Sequence, residues 1–208
     1  MSVIHSYVFG IESAIGGGSI SLHLNGVEIA RSSGDGAVSR AEELLPAIDR
    51  LLHENDITAR DLDVIIVSTG PGSYTGIRVG IATIMGLRSS INARCLGVTV
   101  LQAMTLAAKD RSAIITAVPM GRNMVCSQLF EGDRPVSSAK LHTTEEFIEF
   151  VTAFTGSAVM HKSLFDVLEN TASGCLIDAG DCPASLVAAA ASSGLASEDL
   201  TPLFVDRQ

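Results

Sequence analysis

Positive charge is scarce in this 208-residue sequence: 14 Lys and Arg stand against 23 Asp and Glu, a net charge of −9. The basic residues are scattered along the chain. Phosphate-backbone binding needs them clustered, so tight direct binding of RNA or DNA by this chain alone is disfavoured. A nucleic-acid role would come through a partner. Cysteine is also sparse, with Cys95, Cys126, Cys175 and Cys182 far apart and no C-x-x-C pair. That pattern suits reduced thiols in the cytoplasm and argues against a disulfide framework or a cysteine zinc site. The histidines, His5, His23, His53, His142 and His161, form no H-x-x-x-H or comparable pair. A catalytic metal needs about three protein ligands, so surface or singly bonded histidines are expected instead. No apolar run approaches the ~20 residues that span a bilayer. The opening MSVIHSYVFGIES has no basic flank before an apolar stretch, so no secretory signal is expected.

What is present suits a packed core: 47% of the residues are hydrophobic and 18% charged. Tyr7 to Ser13 and Ser19 to Leu24 read as strands, and Asn25-Gly26 favours a tight turn into a third at Val27 to Ser32. Ser39 and Glu42 then make a capping-box pattern. Apolar residues follow at Ala41, Leu44, Leu45, Ile48, Leu51 and Leu52, the spacing of one helical face, with Pro46 inside the helix. Val64 to Val67 reads as a strand buried on both faces, as in a parallel sheet. A helix over Thr75 to Ser90, a short strand at Cys95 to Val98 and a helix from Thr99 to Ala108 complete the first half.

The second half repeats this plan in reduced form. Strands are expected at Ala113 to Val118, Met124 to Phe130 and Val136 to Leu141, then a helix capped by Thr143 or Thr144 and a small-residue helix at Pro183 to Ser193. Two βββαβα-type units predict a duplicated α/β fold, divided into residues 1–110 and 111–208.

Between the Val64 strand and the next helix lies STGPGSYTGIRVG, residues 68 to 80. A Walker loop fails here on spacing and for want of a lysine, and a nucleophile elbow fails because Pro71 and Thr75 flank Ser73 at two positions. Gly70, Gly72, Ser73 and Thr75 still offer amides and hydroxyls to an anion at a helix N-terminus, a nucleotide included. Glu12 ends the first strand, where an actin-like ATPase places an aspartate, but Thr116 to Met120 on the second unit's first strand holds no acid. Asp178 and Asp181 read as turn residues. The Thr75 helix is apolar nearly all round and notched by Gly76, Gly80 and Gly86. Such a helix is buried in its own core or across a subunit interface, and the glycines allow close approach.

These motifs resemble the TsaB (YeaZ) family, a bacterial branch of the actin-like, sugar-kinase and heat-shock-chaperone ATPase superfamily. The hallmark G-R/P-G-S-F-T-G-L/I-R-x-G is similar to Gly70–Gly80, with Tyr74 for the usual Phe. The family's E-x-L-L-P matches Glu42, Leu44, Leu45 and Pro46, and its I-G-V-S-T-L junction corresponds to Leu96 through Leu101. The resemblance covers Tyr7 to Ala108 and weakens beyond. Three departures stand out. Glu12-Ser13 replaces Asp-Thr or Asp-Ser, Arg40-Ala41 replaces His-Ser, and the D-A-R-x-x-E-V-Y motif aligns with Val118-Pro119-Met120 and Asn123-Met124-Val125, losing its Asp, Arg, Glu and Tyr.

The resemblance implies a noncatalytic scaffold in tRNA threonylcarbamoyladenosine synthesis, working in the cytoplasm. Its partners would be the catalytic paralogue TsaD and the accessory ATPase TsaE, or a second copy in a homodimer, with tRNA reached only through the complex. It implies no cofactor of the chain's own, with a nucleotide at a complex interface left open. Family pairing through the first two long helices implies a partner face of Leu44, Leu45, Ile48, Gly76, Arg78, Val79, Gly80 and Thr83. Two rivals remain: a small ATPase or kinase binding nucleotide at Gly70 to Thr75 and Glu12, and a metal-dependent protease-like protein, which the missing histidine ligands oppose.

Overall fold

The computed structural model describes residues 6–34, 40–121, 123–169 and 175–206. The expected Ser39 cap, the Glu42 side chain and His5 lie outside the described parts.

Alternation and turn chemistry shape the first sheet. β1 (Tyr7–Glu12), β2 (Ser19–Leu24) and β3 (Val27–Ser33) form an antiparallel meander. Asn25 and Gly26 both take positive φ in the tight turn that joins the last two, as Asn-Gly allows at little steric cost. α1 (Arg40–His53) carries Pro46 in its interior, and a 3-10 turn at Ala59–Asp61 leads to β4 (Val64–Ser68). α2 (Tyr74–Arg88), β5 (Arg94–Val98) and α3 (Val100–Met104) follow, the last running on as a 3-10 turn through Thr105–Ala107. The sheet order is β3-β2-β1-β4-β5, and β4 pairs parallel with both β1 and β5. Its apolar run is covered on both faces, as a central parallel strand requires.

The second half comprises β6 (Ile114–Pro119), β7 (Met124–Glu131), β8 (Arg134–Pro135), β9 (Lys140–Thr143), α4 (Thr144–Ala153), β10 (Ser157–Met160), α5 (Lys162–Leu168), β11 (Cys175–Asp178) and α6 (Pro183–Ser193). Its sheet runs β11-β10-β6-β7-β8, with β9 also on β7, which repeats the order of the first. Most of the strand expected at Val136 to Leu141 does not form: β8 ends at Pro135, before it begins, and β9 starts only at Lys140. Pro135 has no amide to continue the ladder, and the Ser137 hydroxyl takes up the Leu129 amide at 3.1 Å. Thr143 caps α4 in a full capping box with Glu146. Neither the short helix α5 nor β11 is distinct in the sequence.

Layers follow from the periodicities. α1 and α2 pack on one face of the first sheet through Leu44, Ile48, Leu52, Phe9, Ile11 and Ile84. The opposite face packs on α3 and α6 through Val8, Ile66, Ala103 and Val187. The second sheet turns Ile114, Val118 and Phe130 toward α3 and covers its far face with α4 and α5 through Ile115, Phe147 and Leu164. α6 follows the expected boundary at 110 yet lies on the first sheet. Its alanines come so close that a side chain on Gly10 of β1 would strike the Ala184 carbonyl and Ala188.

α2 approaches the β1–β2 turn in the same way. A Cβ on Gly76 would run into the Ser13 carbonyl, one on Gly80 into the Ser13 hydroxyl, and one on Gly72 would sit 2.5 Å from the Ala14 Cβ. The Ser13 hydroxyl donates to the Gly76 carbonyl at 2.8 Å. Gly76→Ala is therefore expected to lose about 1–3 kcal/mol in urea unfolding, as overpacked sites do. Gly86→Ala is the matched control: nothing lies within 4 Å of its added Cβ, and it should stabilise α2 by about 0.5–1 kcal/mol.

Candidate functional site

The glycine loop is committed to internal contacts. Gly70 takes φ +110 and precedes Pro71 through a cis peptide. A Cβ there would meet the Leu203 carbonyl at 2.7 Å and the Ile77 side chain at 2.8 Å. The Gly70 amide donates to the Ser68 hydroxyl at 3.2 Å, and its carbonyl accepts from the Val100 amide at 2.9 Å. The Ser73 amide donates to the Ala14 carbonyl at 2.9 Å. The Ser73 hydroxyl caps α2 by accepting from the Gly76 amide at 3.3 Å, a familiar use of serine at this position. Of the four residues expected to face an anion, Gly70, Gly72 and Ser73 thus hold the loop against its neighbours, while Thr75 is exposed on the first helical turn.

The space between hairpin and second sheet is similarly occupied. Glu12 is buried, and its carboxylate accepts from the Ala14 amide at 2.6 Å and the Ile15 amide at 3.2 Å. Ile15 is buried in the cluster formed by α3 and the second sheet. Across from Glu12's strand, Val118 and Val125 are fully buried and Met120 packs against the same cluster. Apolar packing takes the positions of the lost second-unit motif. Asn123 turns the chain at φ 58, and its amide donates to Glu145 at 3.3 Å. Among the described residues, no three His, Cys, Asp or Glu side chains converge as metal ligands would. Asp178 accepts from the Gly180 amide at 2.7 Å, the turn role expected of it.

The histidines differ in their surroundings. His142 shares a hydrogen bond with the Ser127 hydroxyl at 3.0 Å. His161 caps α5 through Nδ1, 3.2 Å from the Ser163 amide and 2.9 Å from its hydroxyl. His23 corrects the expectation of surface or singly bonded rings: it is buried and neither ring nitrogen has a hydrogen bond, with Glu28 3.8 Å away. Burial lowers the pKa of all three, against the opposing pull of nearby carboxylates.

The α1–α2 face also differs from expectation. Leu44 and Ile48 are buried within the chain's own core, because the apolar stripe of α1 packs on the first sheet. Gly76 and Gly80 are spent on the Ser13–Ala14 turn. Val79 and Thr83 lie half-buried on the flank of α2. Leu45, at 56% exposure, and Arg78 do face solvent. The open stripe of α2 is instead Tyr74, Arg78, Ala82 and Met85, with Tyr74 and Met85 each 58% exposed. Their spacing is i, i+4, i+8, i+11, and Ile77, Gly80 and Ile84 make the complementary buried stripe. The Arg78 guanidinium lies 5.1 Å from the Tyr74 ring centre and donates to its hydroxyl at 2.9 Å.

Residues 37–132 match a protein-family model described as TsaD, tRNA N6-adenosine threonylcarbamoyltransferase. In Bacillus subtilis, the tRNA threonylcarbamoyladenosine biosynthesis protein TsaB is 40% identical over 67 residues, 32% of this chain and 28% of that protein. YeaZ from Pseudomonas aeruginosa superposes with a TM-score of 0.66 at 18% identity, over 95% of this chain and 99% of its own. Part of the sequence is thus similar to TsaB and to TsaD-type proteins, and the fold is similar to that of YeaZ. The chain's two sheets and alternating helices are the duplicated actin-like fold. A tRNA N6-adenosine threonylcarbamoyltransferase of Desulfovibrio desulfuricans is also 41% identical over 63 residues, 30% of this chain and 18% of that enzyme. These two sequence matches thus span less than a third of either relative's length.

The buried histidines of the chain set a pH dependence. The folded chain holds His23 and His161 neutral, whereas the unfolded chain protonates them near the ordinary value of 6.5. Above that value they add no pH dependence. As pH falls below it, the unfolded chain takes up protons that the folded chain refuses, and stability falls until the lowered folded pKa values are passed. The slope is up to about 1.4 kcal/mol per pH unit for each histidine that stays neutral. Urea unfolding at pH 7.5 and 5.5 should show the loss, and His161→Gln should reduce it.

Proposed function

We propose that the chain is a noncatalytic subunit of the tRNA threonylcarbamoyladenosine modification machinery, pairing with a TsaD-type protein through the open stripe of α1 and α2. One observation carries this reading. On α2, Tyr74, Arg78, Ala82 and Met85 leave an apolar and cationic stripe bare, and Leu45 is exposed on α1, while the other faces of both helices are built into the core. Exposed large apolar side chains with Tyr and Arg among them are the composition of an interface. Both helices also lie within the segment similar to TsaD-type proteins. Two chains that share a helix pair can dock pair against pair across an approximate twofold axis.

Support for a scaffolding role comes from what occupies the other candidate positions. The glycine loop caps and braces α2, Glu12 closes its own turn, and apolar side chains fill the β6–β7 side. In this reading a TsaE-type ATPase joins the pair, tRNA is contacted mainly by the partners, and homodimers form through the same strip in the partner's absence. Among the described residues no helix is long and apolar enough to cross a membrane.

Co-purification with the TsaD-type protein of the same organism tests the pairing. Met85→Glu should weaken it at least about tenfold by placing a charge in a desolvated contact, with little change in melting temperature because Met85 is exposed. Undiminished pairing would overturn the reading. So would tight binding and turnover of ATP with magnesium by the isolated chain.

A further inference from the structure

α6 carries no titratable side chain along Pro183–Ser193, so pH reaches it only through the groups it covers. One of these is His23 on β2. Its ring is buried, and neither nitrogen has a hydrogen bond. Directly opposite on β3 stands Glu28, with a carboxylate oxygen 3.8 Å from Nε2, too far for a hydrogen bond. The hydroxyls of Ser21 and, from α6, Ser185 already donate to that same oxygen. The exposed Arg31 guanidinium lies 3.7 Å from the other one. On the far side of His23, its β1 neighbour is Val8, an apolar member of the cluster under α6. At the head of the helix the Cys182 thiol rests against the Ile20 carbonyl at 3.8 Å. Glu28 is thus the anion facing the ring, and two hydroxyls and a guanidinium share it.

We propose that His23 is an acid-sensitive latch for α6: protonation of its ring releases the helix from the first sheet while both flanks of α6 stay attached. A charged imidazole must place two N–H donors, and burying it without acceptors costs far more than burying the neutral ring. Drawing Glu28 onto Nε2 would satisfy one of them. It would also strip the acceptor from Ser185 and leave Nδ1 bare, so the docked helix loses either way. Lifting α6 instead lets water reach the ring. Eleven residues are too few for a helix to persist alone in water, so release and unwinding are one event. The detached stretch is bounded. Upstream, the Ala179 amide donates to the Met160 carbonyl at 2.9 Å. Downstream, the chain continues as a strap over the first sheet. There Gly97 and Ser197 exchange backbone hydrogen bonds of 2.7 and 3.0 Å, and the Leu203 amide donates to the Thr69 carbonyl at 2.8 Å. Burial holds the docked ring's pKa below its ordinary value of 6.5, against the pull of Glu28, whereas the released ring titrates near that value. Acid therefore favours release below 6.5 and adds nothing above it.

Amide hydrogen exchange at pH 7.5 and 5.5 tests the latch, expressed as protection factors so that the intrinsic pH dependence of exchange cancels. The α6 amides should be less protected than those of β4 at both pH values, because release is local and a central strand opens only with the whole fold. Between the two pH values their protection should fall several-fold, with a ceiling of about tenfold for a single histidine. His23→Gln and His23→Leu should abolish that fall. His161→Gln, which alters the cap of α5 and not α6, should leave it intact. If His23→Gln fails to fold, His23→Leu decides. Three results would each overturn the proposal: α6 amides as protected as those of β4, a fall that survives the His23 variants, or protection that rises in acid.

Discussion

α2 meets the β1–β2 turn backbone to backbone, with Gly72, Gly76 and Gly80 standing over Ser13 and Ala14 where no side chain fits. This contact fixes the height of α2 above the sheet, and several other arrangements follow from it. The Ser73 amide reaches the Ala14 carbonyl, so the loop that launches the helix is pinned to the same turn. Glu12 folds its carboxylate back onto the turn's amides, which leaves Ile15 directed into the second core. With the inner face of α2 pressed so closely, its apolar remainder has nowhere to go but outward. Tyr74, Ala82 and Met85 are exposed for that reason.

Much of the architecture is legible in the sequence because local rules and burial agree. The Asn25-Gly26 turn, the doubly buried β4, the Thr143 capping box and the repeated strand–helix order are all written in residue type and spacing. The partner face is not written in the same way. Leu44, Leu45 and Ile48 fall in one apolar run, but only the packing of α1 on the sheet decides that Leu45 is left outside. α2 carries two interleaved stripes, and hydrophobicity alone does not say which one the core takes. The glycines at 76 and 80 mark the inner stripe, since close approach within the chain is as good a use for them as close approach to a partner. The strap has no periodicity at all. Its order comes from Gly70 and Gly97, two positions where another backbone must pass.

Between β2, β3 and α6 lies a polar layer. The hydroxyls of Ser21 and Ser185 both donate to Glu28, with Arg31 3.7 Å and His23 3.8 Å from the same carboxylate. The Ala184 amide donates to the Ser19 hydroxyl at 3.1 Å. The serine hydroxyls and the Glu28 carboxylate are costly to bury unpaired, so their pairing favours one placement of α6 over sliding alternatives that an alanine-rich helix would otherwise tolerate, whereas the His23 nitrogens stay without a hydrogen bond.

That placement joins residues 165 positions apart in the chain, Ala184 against Ser19. During synthesis, at about 5–20 residues per second, β1 and β2 emerge many seconds before α6. Until then the face of the first sheet that carries Val8, Ile66 and Val98 has α3 over it but lacks the α6 side chains Val187, Ala188 and Ala190. The first half therefore cannot mature as a finished unit while the second is still being made. Its completion waits on the later half, and a nascent chain stalled between them would present that apolar face to chaperones.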